Sequence, residues 1–214
     1  MKIAIVIGAT GLVGSTLVKQ ICDNPNYSKV VLLLRKHLKI SHSKLIQEVI
    51  NFDKLDTLKI EGDDLFCAMG TTLAKAGSKE NQYKIDCTYP YEIGKIAKAN
   101  GVKQYILVSS VGADFESSNF YLRTKGDLEK KIQSLDFQNF VSIRPSMLLG
   151  DREESRLGEK IGKVLSNILS PLLFGSLRKY HGIEATDVAK AMQRFANQGL
   201  SGVKYVEYDE IMNA

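Results

Sequence analysis

The chain has 214 residues, 44% of them hydrophobic and 25% charged, enough apolar material for one large core and too ordinary a balance for a disordered chain. A net charge of +5 arises without a long basic block, a zinc-finger spacing or a helix-turn-helix pattern, so no nucleic-acid partner is expected. No apolar run is long enough to cross a bilayer, no secretory core precedes the first glycine, and Cys22, Cys67 and Cys87 share no ligand spacing with one another or with the histidines. These features predict a cytoplasmic protein with reduced thiols, no metal site and no membrane partner.

Residues 2–7, KIAIVI, form a continuous apolar run of the kind that fills a strand buried on both faces. Helical periodicity follows in LVGSTLVKQIC. The runs KVVLLL (29–34), LIQEVIN (45–51) and DDLFCAM (63–69) read as further strands, and 79–99 as a long helix that stops at Asn100–Gly101. A fifth strand, VKQYILVSS (102–110), precedes the helical run FYLRTKGDLEKKIQSL and a sixth strand, NFVSIRP, halted by Pro145. Alternating strands and helices imply parallel strands joined by crossover helices, an α/β doubly wound sheet. Past Pro145 the alternation fades into GEKIGKVLSNILSPLLF, TDVAKAMQRFANQ and a late strand, VKYVEY (203–208). The chain is therefore read as a single domain, 1–214, in which about 146–214 contributes a small helical lobe over the ligand-binding edge.

The loop VIGATGLVGS places Gly8, Gly11 and Gly14 three residues apart, directly after the first strand and into the first helix. Gly8 permits a tight turn, Gly11 lets backbone amides approach a diphosphate, and Gly14 allows the helix to pack close to the sheet. The helix start then presents free N–H groups and a positive dipole end to the phosphates. In this context the glycines predict a dinucleotide-binding Rossmann fold. An NAD site usually has a carboxylate at the end of the second strand. This chain has Arg35 and Lys36 there, two cations suited to a 2′-phosphate, so NADP(H) is the expected cofactor. The small residues of CAMGTT (67–72) are expected beside the central riboses, and Asp53 either reaches the adenine or caps a helix.

Tyrosine precedes lysine by four residues twice, at Tyr91–Lys95 and at Tyr121–Lys125, and at that spacing both residues share a helix face. A lysine one turn away favours the phenolate of a tyrosine, the tuning that proton transfer needs. The first pair belongs to the 79–99 helix, whose face covers the sheet. The second follows the fifth strand, whose end carries Ser109 and Ser110, and ligands of open α/β sheets bind beyond the carboxyl ends of the strands. Tyr121–Lys125 is preferred. Ser110 is the preferred hydroxyl for polarising a substrate oxygen, with Ser109 the alternative.

Serine at the end of the fifth strand, Tyr-x-x-x-Lys on the next helix and then SIRPSMLLGDR resemble the atypical short-chain dehydrogenase/reductase family, within the NAD-dependent epimerase/dehydratase-like superfamily. GATGLVG, LLLRK, MGTTLAKAG, SSVGADFESSNFYLRTKGDLE and RPSMLLGDREESR carry the resemblance over most of the chain, nearest the oxidoreductase-like branch of the Tat-interacting NADPH-binding proteins. The resemblance implies Tyr121 and Lys125 as the catalytic pair, to which Ser110 is added by its position just past the strand. It also implies cofactor contacts from Arg35, Lys36, Gly70 and Arg152, besides Tyr121 and Lys125. Gly8, Thr10, Gly11, Leu12, Val13 and Gly14 of the glycine loop and Met69 and Thr71 at the end of the fourth strand are expected to touch the cofactor as well. Where other short-chain enzymes place the catalytic hydroxyl, this chain has Val111. The function expected is NADP(H)-dependent hydride transfer to or from a small carbonyl or alcohol. The alternative is an NADP(H)-binding regulator that acts on a protein partner with little turnover. Pro145 and Ser146 are expected near the carboxamide edge of the nicotinamide, and Arg152 either at a phosphate or in a solvated loop.

Overall fold

The computed structural model describes residues 1–149 and 180–213. Seven parallel strands form one sheet, β1 (Lys2–Ile7), β2 (Tyr27–Leu34), β3 (Leu45–Val49), β4 (Asp64–Cys67), β5 (Gln104–Val108), β6 (Asn139–Ile143) and, last in the chain, β9 (Gly202–Val206). Their order is β3-β2-β1-β4-β5-β6-β9, so the direction of winding reverses between β1 and β4. A separate parallel pair joins β7 (Leu148–Leu149) to β8 (Ile183–Glu184). The register sets Ile7 beside Leu33 on one side and Cys67 on the other, with Cys67 beside Leu107 and Val108 beside Ile143. The exits of β2, β1, β4, β5 and β6 therefore form one row along the carboxyl edge.

Alternate residues of each strand face opposite layers, and both layers are apolar. Ala4 and Val6 pack with α1 (Leu12–Asp23) and α6 (Ala185–Asn197) on one side. Ile5 and Ile7 pack with α4 (Tyr89–Ala99) and α5 (Phe120–Gln133) on the other. The expected 79–99 helix runs as α3 (Lys79–Tyr83), a single π-helical turn over Lys84–Thr88, and α4. Two short helices complete the described chain, α2 (Leu73–Ala76) and α7 (Tyr208–Met212). The crossover from β3 to β4 carries no helix; Phe52 and Ile60 are the buried side chains that fill it.

The tail contributes to the sheet itself. Helix α6 lies on α1 in the first apolar layer through Val188, Ala189, Met192 and Phe195, and β9 pairs with β6 along its length. Residues 185–206 thus complete the doubly wound sandwich and do not lie over its ligand edge. What remains for the proposed small lobe, 150–179, falls outside the described residues, including GEKIGKVLSNILSPLLF.

At the opposite, amino-terminal edge of the strands, Asp64 is fully buried and fully occupied. Its Oδ2 accepts from Lys2 Nζ at 3.0 Å and from the Tyr27 hydroxyl at 2.6 Å, and its Oδ1 accepts from Gln104 Nε2 at 2.8 Å. Lys2 Nζ and Gln104 Nε2 also donate to the Ala196 carbonyl, which fastens the end of α6 to β1 and β5. Removing the carboxylate leaves the buried Tyr27 hydroxyl without its acceptor and takes one of two acceptors from both Lys2 and Gln104. Asp64→Ala is expected to lower stability by about 3–5 kcal/mol, read as a fall in the denaturant midpoint with the slope unchanged.

Candidate active and cofactor-binding site

Gly8 leaves β1 with φ of +82°, and a Cβ there would lie 2.4 Å from the backbone of Ala68 at the exit of β4. A Cβ on Gly14 would lie 2.1 Å from the Gly8 carbonyl oxygen. The turn off β1, the end of β4 and the first turn of α1 are thus pressed together with no space for a methyl group. Gly11 closes the turn, its N–H donating to the Gly8 carbonyl at 3.0 Å. Gly11 is also the N-cap of α1 and supplies no side-chain cap, and the first turn holds no acidic residue. The helix start therefore keeps its donors and positive end available, as an anionic diphosphate requires. Thr10 is exposed there, whereas the side chain of Val13 is buried in the core, leaving only its backbone to face the loop.

Next along the edge is the exit of β4, Ala68–Met69–Gly70–Thr71. The Thr71 N–H donates to Asp86 Oδ1 at 2.7 Å, and Asp86 is fully buried on the π-helical turn. Lys125 reaches the same place from α5. It is only 4% exposed, and its Nζ lies 3.4 Å from the Val108 carbonyl at the end of β5. Burial opposes the charge of Lys125, but Tyr121, Asp86, Cys67 and Glu129 together outweigh it and hold its pKa above the usual lysine value. Burial likewise pushes the Asp86 carboxyl up, while Lys125, the Thr71 amide and Gln82 act against it.

Helix α5 is placed by its ends and its middle. Asn119 caps it, Oδ1 accepting from the N–H groups of Tyr121 at 2.9 Å and Leu122 at 3.2 Å. Glu129, one turn beyond Lys125, accepts from the Ser142 hydroxyl at 2.6 Å and from Arg144 through both carboxylate oxygens, at 2.9 and 2.5 Å. Arg144 stacks on the Tyr205 ring at 4.2 Å, so β6, β9 and α5 are bound together. Tyr121, one turn before Lys125, is 39% exposed at the mouth of the site.

The second tyrosine–lysine pair has a different setting. Lys95 lies over the Tyr91 ring at 5.5 Å and pairs with Glu92 at 2.9 Å on the exposed face of α4. That is a surface cation–π contact. The two candidate serines both follow Val108. Ser110 Oγ donates to the Val111 carbonyl at 3.3 Å, and Ser109 Oγ is buried with no hydrogen-bond partner among the described residues. Arg35 and Lys36 are exposed just beyond Leu34, in the row of strand exits beside Gly8. Asp53 caps no helix; it pairs with Lys84 at 2.5 Å and accepts from the Tyr89 hydroxyl at 2.7 Å. The Ser146 hydroxyl is taken by the His181 carbonyl. Arg152 lies outside the described residues.

The structure thus assembles Gly8, Gly11, Gly14, Met69, Gly70, Thr71, Ser109, Ser110 and Lys125 along one edge. It adds Asp86, which the sequence did not single out. Among the described residues no group of histidine, cysteine and acidic side chains is placed to hold a metal ion, and no helix is long and apolar enough to cross a membrane.

Over residues 8–170 the sequence matches the family described as NAD(P)H-binding. The chain belongs to that family. Among its relatives are a protein of Candida albicans named FMP52, mitochondrial, 38% identical over 92% of this chain and 89% of its own length, and rat HTATIP2, 39% identical over 76% and 69%. The fold also matches solved structures of low sequence identity. The UDP-glucose 4-epimerase of Thermotoga maritima superposes with a TM-score of 0.72 at 14% identity, over 96% of this chain and 76% of that one. MoeE5, solved with UDP-glucose and NAD, superposes with a TM-score of 0.69 at 16% identity, over 98% and 79%. The cytoplasmic expectation does not stand against relatives named mitochondrial, which include that of Saccharomyces cerevisiae besides the Candida protein. Neither the length of the apolar runs nor the spacing of the cysteines bears on residence in a mitochondrion.

The crowding at the first turn makes a direct prediction. Gly8→Ala combines a disfavoured backbone angle with a collision against Ala68 and is expected to cost on the order of 3 kcal/mol, visible as a lowered melting temperature without ligand.

Proposed function

We propose that this chain is an NADP(H)-dependent oxidoreductase of the short-chain dehydrogenase/reductase type, moving hydride to or from a small carbonyl or alcohol. The observation that carries the reading is the buried ammonium of Lys125, one helical turn from the exposed Tyr121 and beside Gly70 at the same edge as the glycine turn. The residues around Gly8–Gly14 fit a diphosphate, for the reasons of space and free helix donors given above. Bound there, the dinucleotide supplies the hydride chemistry.

The chain's own residues do the rest. Tyr121 holds the proton that must reach, or leave, the substrate oxygen, and its exposure at the mouth lets a substrate approach it. Lys125 supplies a fixed positive charge one helical turn from that hydroxyl, and its ammonium grips the ribose hydroxyls. A serine hydroxyl after β5 steadies the charge that develops on the substrate oxygen. Arg35 and Lys36 supply cations for a 2′-phosphate, and no carboxylate stands at the end of β2 to favour an unphosphorylated ribose.

A second reading, a binder of NADP(H) that acts on a protein partner without turnover, is favoured by Ser110. Its hydroxyl is spent on the neighbouring Val111 carbonyl. An NADPH-oxidation screen over aldehydes, ketones and quinones separates the two. Turnover supports the enzyme, and tight NADPH binding with no turnover across the panel supports the binder. The mitochondrial names of the fungal relatives support a mitochondrial setting for either activity.

Two substitutions test the assignments. Tyr121→Phe is expected to keep NADPH affinity within about twofold and to lower carbonyl reduction by about 10²–10⁴. Arg35→Ala is expected to weaken NADPH by roughly 10–100-fold in a fluorescence titration while leaving NADH unchanged. Equal losses for the two nucleotides would overturn the choice of NADP(H).

A further inference from the structure

Asp86 has no task in the chemistry above, yet it occupies a costly position. Its side chain is fully buried, and Oδ2 has no hydrogen-bond partner among the described residues. It sits on the π-helical turn Lys84–Thr88, where a wider turn interrupts the long crossover between β4 and β5. From that turn Oδ1 reaches the Thr71 N–H. A buried carboxylate with an unsatisfied oxygen persists where a nearby charge compensates it. The compensating charge here is Lys125. A Cβ built on Gly70 would lie 3.9 Å from Asp86 Oδ1 and 3.7 Å from Lys125 Nζ, so the two charged groups flank the same exposed glycine.

A neutral amide at position 86 would serve the Thr71 N–H as well as a carboxylate does, so that hydrogen bond does not explain the negative charge. The charge acts on whatever binds beside Gly70. Oxidised nicotinamide is a pyridinium bearing one positive charge, and the reduced ring is neutral. A lone buried ammonium at this corner would repel the oxidised ring and leave the reduced ring unaffected. With a carboxylate beside it, the corner is close to neutral.

We infer that Asp86 is the counter-charge to Lys125 that lets this site hold the oxidised dinucleotide, and that it thereby sets the relative affinity for NADP⁺ and NADPH. The inference rests on the proposed function, in which the nicotinamide end lies at Tyr121 and Lys125. It assigns to Asp86 a charge-balancing role, with no contact to the reacting atoms required. A structural role alone would change both affinities together; the charge role changes their ratio.

The test is calorimetric titration of the wild type and Asp86→Asn with NADP⁺, NADPH and 2′,5′-ADP. Removal of one buried charge is expected to weaken NADP⁺ relative to NADPH roughly tenfold. The affinity for 2′,5′-ADP, which lacks the ring, is expected to stay within about twofold, and Asp86→Glu to restore most of the ratio. If Asp86→Asn does not fold, Asp86→Ser removes the same charge, keeps an oxygen near Thr71 and carries the same expected shift. A ratio unmoved in a folded charge-removing variant, while the wild type binds both nucleotides, overturns the inference and leaves the oxidoreductase reading standing. A wild type that binds neither nucleotide overturns that reading and this inference with it.

Discussion

The arrangement depends on a gap too narrow for a methyl group. Where β1 turns, where β4 ends and where α1 begins, three backbone segments meet at Gly8, Ala68 and Gly14. This contact brings the start of α1, with its uncapped amides, into line with the strand exits, and it sets the distance between α1 and the sheet. Every later element inherits that geometry through the parallel ladder, since β1 fixes β2 and β4, and β4 in turn fixes β5. The exits of five strands consequently fall in one row, and the side chains following them can serve one extended ligand.

Charges inside the molecule are arranged in two groups with different roles. Asp64, with its full set of donors, and Glu129, with Arg144 and Ser142, are satisfied on both carboxylate oxygens, and both bind elements that are distant in sequence. Asp86 and Lys125 are buried just as deeply, but among the described residues Asp86 keeps an oxygen without a partner, and the Lys125 ammonium makes only a long hydrogen bond, to the Val108 carbonyl. Saturated networks hold a fold, whereas incompletely saturated charge at a strand exit is available to a ligand.

The glycine turn, the alternation of strands and helices and the basic end of β2 could all be read from the sequence, because each depends on local residue type and spacing. The tyrosine pairs could be ranked but not decided by spacing. Burial separates them, since Lys125 is 4% exposed under Gly70 whereas Lys95 lies on an outer helix face against Glu92. Asp86 could not be found by periodicity, since a π-helical turn shifts the phase that assigns residues to faces. Residues 185–206 looked like a lobe because only short segments remained, with no glycine signature to mark them as part of the sheet. Their place is fixed by pairing with β6 and by packing on α1, long-range contacts with no local code.

The pairing of β6 with β9 has a consequence for how the protein is made. The strand that covers the edge of β6 is the last of the seven to be made, and the Ala196 carbonyl that accepts from Lys2 lies only slightly earlier. Until residues 196–206 have left the ribosomal tunnel, β6 presents open backbone donors and acceptors, and the first-made strand lacks its anchor. The first-made strand and the edge of β6 therefore wait on the same late stretch of chain before the sheet is closed.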